Sequence, residues 1–509
     1  MSMPILPEPL PRPAYRLSKS RYLSGLQCHK RLYLEIHRPD LATPPDAATQ
    51  AILDMGTDLG EWARRRFSGG RLVTAGYRQS REALEQTATL LADPTVPAIF
   101  EGAFQFNDVL VRVDVLERVG TDEEGQPTWR LIEVKSSTRQ KPTHLDDLTI
   151  QSYVLQGAGV RLAEICLMHV NTQYVFDGCA IDLEALFSIR PLTETIRGQL
   201  ATVEPRLQAM KELLASGQVP AIEPGEHCRS PYECPFWDHC TQDKSPRWIF
   251  RLPGSKKTFA HLILKGIDTI DQIPDEVELS PVQRLVKEQK EWIGSGLRQA
   301  LDTVRFPVHH LDFETFMPAV PKYANTRPYE VLPIQWSDHI ERADGTLDHA
   351  EYLSRDARDA REELVVALLE ALGREGSICV YSSYERSILE RMAEIFPALR
   401  PNIRKVIARL WDLHEVVKMH YFHPDFGGSY SIKTVLPAVV PSLSYEDLEI
   451  RDGGVAAREY YRMVFELSDW VERTRIEEAL LRYCARDTLA MVELRRELKR
   501  KVSARDLPV

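Results

Sequence analysis

The chain has 509 residues, 43% hydrophobic and 27% charged, with a formal net charge of −10. This is an ordinary globular composition, long enough for about two to four domains, and a single core is not expected. No stretch approaches the roughly 20 uninterrupted apolar residues of a membrane helix, and the opening MSMPILPEPLPRPAYR lacks the apolar centre of a secretory signal, so a cytoplasmic protein with no membrane partner is expected.

In chain order, the Pro-rich residues up to Pro13 read as a flexible lead, and residues 17–67 carry a helical pattern that includes the basic, aromatic segment SKSRYLSGLQCHKRLYL. The alternating runs AIFEGAFQF, VLVRVDVLERV and WRLIEVKSS, separated by turn-type residues, predict three strands of one sheet. LDDLTIQSYVLQGAG then reads as a helix ending at glycine, EICLMHVNTQYV as a further strand, and residues 190–218 as one amphipathic helix. A cysteine-bearing segment closes this half. Residues 246–300 read as a helical linker in which LILKGIDTIDQI has the outline of a helix-hairpin-helix or of a plain helix pair. From Val308 a second alternation begins: strands VHHLDFETF and PIQWSDHI, helix EELVVALLEAL, strand SICVYSS, helix YERSILERMAEIF and a closing helix RIEEALLRYCARDTLAMVELRREL. The expectation is therefore α/β throughout, with unlike domains at 1–245 and 301–509.

The first candidate centre follows from side-chain alternation. On strands, residues i and i+2 share a face, so Glu133 and Lys135 in LIEVK point together, and Asp114 lies on the preceding strand. Two carboxylates that can hold Mg²⁺ or Mn²⁺, with a lysine to position water and offset phosphate charge, suit phosphodiester hydrolysis. The set, with Gln151 on the following helix, resembles the RecB-type branch of the PD-(D/E)xK nucleases. That resemblance implies a restriction-endonuclease-like fold, with Gln151 supporting the catalytic lysine. The Gln151-Ser152-Tyr153 spacing puts Tyr153 on another side of the helix. The metal-binding histidine of the RecB-type G-x-x-x-H context is absent from Gly56-Thr57-Asp58-Leu59-Gly60-Glu61, which leaves Glu61, Glu101 or His144 to compensate, or a weakened centre.

Eight cysteines are too few for a disulfide scaffold. Cys166, Cys179, Cys379 and Cys484 read as structural thiols, whereas Cys228, Cys234 and Cys240 have five residues between neighbours and Cys28 stands near the other end of the domain. Such a trio with a distant fourth partner can hold a [4Fe-4S] cluster, or Zn²⁺ with His227 or His239 as alternative ligands. The order, one cysteine before the nuclease core and three after, resembles the iron-sulfur RecB-type nucleases, including AddB and the CRISPR spacer-acquisition exonucleases.

The second candidate centre is Asp312 and Glu314, at i and i+2 of a strand, with Tyr483 and Asp487 four apart on the closing helix. Several carboxylates and a water-orienting hydroxyl are what two-metal hydrolysis requires. D-x-E followed far downstream by Y-x3-D resembles the RNase H-like DEDD exonucleases of the proofreading type. Glu385, after Tyr384, would take the place of that family's middle aspartate, and Asp412 is a secondary acidic residue.

Both halves in this order resemble a bacterial family of RecB-like nucleases fused to a YprB-like RNase H domain. The resemblance implies a metal-dependent nuclease acting on nucleic acid, DNA in preference to RNA, alongside a helicase or another DNA-processing protein. The net charge argues the other way, since Lys and Arg supply affinity for phosphate. Basic runs such as Arg64, Arg65 and Arg66, or Arg495, Arg496, Lys499, Arg500 and Lys501, are nevertheless clustered. The rival readings are a nucleic-acid-binding or scaffold protein with a degenerate first centre, and an RNA-processing exonuclease.

Overall fold

The computed structural model describes residues 17–254 and 261–505, so the Pro-rich lead lies outside the described residues. The chain is mixed α/β and divides into two units: Met1–Asp46, Ile52–Asp243 and Ala319–Pro328 form one, and Ala47–Ala51, Lys244–Pro318 and Tyr329–Val509 the other. Residues 246–300 fold with the second unit rather than standing as a separate linker. Among the described residues, no helix is long and apolar enough to cross a membrane.

The first unit is built on a seven-stranded sheet of β1 (Leu17–Ser18), β2 (Arg71–Leu72), β3 (Ala98–Phe106), β4 (Val109–Thr121), β5 (Pro127–Lys135), β6 (Arg161–Val170) and β7 (Phe187–Pro191). β3, β4 and β5 form an antiparallel meander, the helix Pro142–Gly157 crosses back so that β6 runs parallel to β5, and β1 adds parallel to β4. In β4 the period of two is visible directly. Val109, Val111 and Val113 are buried in the main core, which leaves Arg112 and Asp114 on the other face.

One sequence expectation gains detail here and another changes. The pattern over 17–67 resolves into helices Lys19–Gln27, His29–His37 and Ala47–Arg64, with Cys28 extended (φ −163°, ψ 122°) in the break between the first two. The single helix expected at 190–218 is instead strand β7, a five-residue helix Thr193–Arg197, a 3-10 turn Leu200–Thr202 and a helix Val203–Ser216. Gly198 ends the short helix, and Pro205 fits only near the start of the last one, where its missing N–H is not needed.

The second unit centres on a five-stranded sheet of β9 (Val308–Phe316), β10 (Leu332–Glu341), β11 (Leu347–Leu353), β12 (Ser377–Val380) and β13 (Leu410–Asp412), with a small ribbon of β8 (Trp292–Ile293) and β14 (Tyr421–Phe422) beside it. The order is β11-β10-β9-β12-β13, antiparallel on the β10 side of β9 and parallel on the β12 side. Leu311, Phe313, Trp336, Leu364, Leu368 and Ile378 are buried in one core between sheet and helices. The closing helix Trp470–Arg505 packs on β9 and β10. Its register is fixed by polar bonds inside the protein: Gln335 Nε2 donates to the Leu480 carbonyl at 3.0 Å, and the Ser337 and Thr488 hydroxyls meet at 2.9 Å.

In the 246–300 region the second helix of the expected helix pair does not form over IDQI. Gly266 turns with φ +72°, and Ile270–Gln272 is a single 3-10 turn whose Thr269 bridges to Trp248. Three carboxyl or amide side chains close to the turn, Asp268, Asp271 and Gln272, favour such a local bend over a continued helix.

Candidate functional site

In the first unit the β4–β5 ladder ends at Val115↔Ile132, and there the strands part. Asp114 fills the gap: its Oδ2 accepts the Val134 N–H at 2.7 Å, a bond the ladder would otherwise supply. Glu133, 1% exposed, lies on the next strand over, and Lys135 Nζ donates to Glu133 Oε1 at 2.6 Å and to Asp147 Oδ2 at 2.6 Å. Gln151 and Asp147, four apart on the helix Pro142–Gly157, face the same spot. Gln151 Nε2 donates to Glu133 Oε2 at 2.7 Å and to Asp147 Oδ1 at 2.8 Å. Tyr153 turns away, its hydroxyl on Asn107 Nδ2 at 2.9 Å, as the spacing implied.

The sequence reading missed Lys19. It begins the helix after β1, and its Nζ reaches Glu133 Oε1 at 3.0 Å and Asp147 Oδ1 at 3.3 Å. Burial works to raise the Glu133 carboxyl, but Lys135 and Lys19 together hold it well below the carboxylate range. Asp114, by contrast, is pushed up to about 7 by burial and by the Glu133 charge. Of the three residues considered for the absent histidine, His144 is pushed down to about 4 by burial and by Lys135 and Lys141, and its Nδ1 accepts the Lys141 N–H. Glu61 and Glu101 each lie 3.8 Å from the Arg64 guanidinium. Glu101 stands opposite Asp114, where the β3–β4 ladder skips a pair, with a left-handed φ of +55°, a strained setting for a glutamate.

In the second unit, alternation along the central strand β9 turns Asp312 and Glu314 to one face, and the closing helix lays Tyr483, Cys484 and Asp487 over it. Glu385 arrives from the first turn of the helix Tyr384–Ile395, just after β12. Ligand atoms of Asp312, Glu314 and Cys484 lie within 4.8 Å of one another, which no other group of three His, Cys, Asp or Glu residues achieves among the described residues. Cys484, read from sequence as a plain core thiol, is pushed well up by burial and by the three carboxylates, and points its Sγ at Asp312 Oδ2 from 3.7 Å.

The electrostatics here differ from those at Glu133 in the first centre. Burial, with Asp487, Glu314 and Glu385 adding repulsion, raises Asp312 well above the carboxylate range, and Glu314 rises for the same reasons. Glu385 is pushed up to about 7 by burial, with Asp412 and Asp487 contributing. Asp487 rises to about 6 by burial, restrained by hydrogen bonds from Tyr445 and Tyr483 and by the Lys433 charge. The Tyr445 hydroxyl donates to Asp487 Oδ1 at 2.5 Å, and Lys433 Nζ lies 5.3 Å above the Tyr483 ring and 5.8 Å above that of Tyr445. Tyr483 is raised by burial and by Asp487, Glu314 and Asp312, so it stays a neutral phenol. Asp412 chiefly caps the helix Leu413–His420, accepting from His414 N at 2.9 Å, and feels Glu385 across the end of β12.

The four cysteines of the quartet line one cavity in the first unit, with Lys30, Arg31 and His227 around it. The chain ends that carry them are tied together: Gln27 Nε2 donates to the His227 and Tyr232 carbonyls, both at 2.7 Å, and Thr43 N donates to the Pro235 carbonyl at 2.8 Å. Burial pushes Cys234 up to about 11, against the pull of Arg31, and raises Cys228 and Cys240 as well. No three of these sulfurs lie within 4.8 Å of one another. Tetrahedral zinc, with bonds of about 2.3 Å, needs sulfurs about 3.8 Å apart. His227 Nε2 is buried beside them with no hydrogen-bond partner.

Residues 309–431 match a family model described as Domain of unknown function (DUF2779). That span holds Asp312, Glu314, Glu385 and Asp412 but stops before Tyr483 and Asp487. No curated protein matches the chain.

Proposed function

We propose that this protein is a metal-dependent nuclease, a DNA exonuclease by preference, whose working centre is Asp312, Glu314, Glu385 and Asp487. One observation carries the reading. Three buried carboxylates and the half-buried Asp312 converge on one face of β9; burial raises all four, and repulsion from neighbouring carboxylates adds to it at Asp312, Glu314 and Glu385. Such a cluster is costly unless cations join it, and an all-oxygen donor set suits Mg²⁺ or Mn²⁺. When bound, such ions polarise a phosphodiester and supply a hydroxide-like water near neutral pH.

The chain's own residues would divide the remaining tasks. Asp312, Glu314, Glu385 and Asp487 hold the ions, Tyr445 fixes the Asp487 carboxylate, and Tyr483 orients the attacking water through its neutral hydroxyl. Lys433 places a positive charge at the edge of the cluster, where a substrate phosphate would lie. The fold reading that goes with this is RNase H-like for the second unit and restriction-endonuclease-like for the first. It is supported by a mixed sheet whose central strand carries the D-x-E pair, and by a meander that brings Asp114, Glu133 and Lys135 together.

For the quartet Cys28, Cys228, Cys234 and Cys240 we propose a [4Fe-4S] cluster with a structural role. Four thiols brought to one cavity from both ends of the first unit's sequence support it, and an absorbance near about 400 nm in aerobically or anaerobically purified protein tests it. The function is tested by incubating purified protein with labelled single-stranded and duplex DNA and RNA, with and without Mn²⁺, beside the Asp312→Ala variant. Mn²⁺-dependent release of nucleotides from DNA that Asp312→Ala abolishes is the expected result. Preference for RNA turns the reading to RNA processing, and binding without cleavage turns it to a scaffold.

A further inference from the structure

We propose that Lys19 is the resident counter-cation of the first centre, filling the place beside Glu133 that a divalent metal ion would take, so that this centre holds no metal in the protein as it stands. The inference goes beyond the reading of the second centre and departs from what the RecB-type resemblance implies for Asp114 and Glu133.

Both oxygens of Glu133 and of Asp147 are already engaged. Glu133 Oε1 receives two ammonium groups, Lys135 at 2.6 Å and Lys19 at 3.0 Å, and Glu133 Oε2 receives the Gln151 amide at 2.7 Å. Asp147 Oδ2 receives Lys135 at 2.6 Å, and its Oδ1 receives Gln151 at 2.8 Å and lies 3.3 Å from Lys19. Asp114 gives Oδ2 to the Val134 N–H. A Mg²⁺ ion ligated by Glu133 Oε1 at about 2.0 Å would stand no more than about 5 Å from each of the two ammonium nitrogens. Two positive nitrogens that close repel a dication from the very oxygen it needs.

The placement of Lys19 is also built in. Leu17 is buried at 1% exposure, β1 pairs with β4 at Leu17↔Val109, and Ser18 caps the helix by accepting the Arg21 N–H at 3.2 Å. Lys19 is therefore the first residue of a helix, where the exposed N–H groups disfavour a cation. The facing carboxylates of Glu133 and Asp147, with Asp114 behind them, make that position favourable for a lysine. Its side chain is 25% exposed, so water reaches it and the pair can be opened by substitution.

The test counts Mn²⁺ bound to the full-length chain by the electron paramagnetic resonance of the free ion, in a background carrying Asp312→Asn and Asp487→Asn to weaken the second centre. We expect that Glu133→Gln changes nothing in this background, that Lys19→Met adds one Mn²⁺ per chain, and that Glu133→Gln removes the added ion. Lys19→Arg, which keeps the charge, is expected to add none, and Lys19→Gln serves if Lys19→Met does not give cooperative unfolding. The proposal is overturned if the background already binds a Mn²⁺ that Glu133→Gln abolishes, if folded Lys19→Met and Lys19→Gln gain no ion, or if Lys19→Arg gains one equally. A wild-type chain that neither binds Mn²⁺ nor cleaves nucleic acid would sink the reading of the second centre and leave this count unaffected.

Discussion

The two acidic centres use similar side chains, but they differ in the charge that meets the central one. In the first, Lys19 and Lys135 stand against Glu133 and Asp147, and Glu133 stays ionised although it is buried. In the second, no lysine among the described residues forms an ion pair with Asp312, Glu314 or Glu385, and burial pushes each of them and Asp487 toward its protonated form. A carboxylate motif on a strand thus says little about metal binding until the charges that meet it are known. The neutralised centre is an ion-pair lock, and the unneutralised one is a cage that a cation would stabilise.

The sharpest way to break this comparison is catalytic. Asp312→Asn or Asp487→Asn should lower Mn²⁺-dependent cleavage on the order of a thousandfold, the several kcal/mol that metal placement supplies. A larger loss in Glu133→Gln, in the same initial-rate measurement, would reverse the ranking of the centres. Next comes stability. Glu133→Ala removes one of the two carboxylates shared by the half-buried Lys19 and Lys135 ammonium groups and should cost about 2–3 kcal/mol in chemical denaturation. Asp312→Asn should instead raise the unfolding midpoint of metal-free protein at alkaline pH, because it removes a carboxyl whose ionisation burial and its neighbours disfavour.

A smaller effect concerns Tyr445, whose hydroxyl holds Asp487 at 2.5 Å. Removing a hydrogen bond to a charged group costs about 1.5–3 kcal/mol, so Tyr445→Phe should weaken Mn²⁺ binding and move the acid limb of the pH–rate profile upward. A profile identical to wild type would take Tyr445 out of the site. The smallest and most graded effect is the pH dependence of metal-free stability. Glu385 and Asp487, near 7 and 6 when folded, ionise at about 4 in the unfolded chain. Between those values the folded state keeps protons that the unfolded state has released, so the melting temperature should fall as pH rises from about 5 to 7.5, and added Mn²⁺ should recover it at the upper end. Glu133, held low, contributes with the other sign: its stabilisation is present above about 4 and is lost on acidification. Calorimetry of the two units along a pH series would show whether they move apart in this way.

Sequence alone sufficed wherever a contact follows from local periodicity. Alternation put Glu133 beside Lys135 and Asp312 beside Glu314, helical spacing separated Gln151 from Tyr153, and it could equally have paired Gln151 with Asp147. The short strands β11 and β13 escaped because one is a polar edge and the other only three residues long. Lys19 and Glu133 are 114 residues apart, and Tyr445 and Asp487 are 42 apart. No periodic signal links such partners; the sheet pairing of β1 with β4 and the seating of the closing helix on β10 bring them together. The sequence determined which acidic groups share a face, since that depends on backbone geometry over a few residues. Tertiary structure alone decided which charges meet those groups, because Coulomb forces act through space and take no account of distance along the chain.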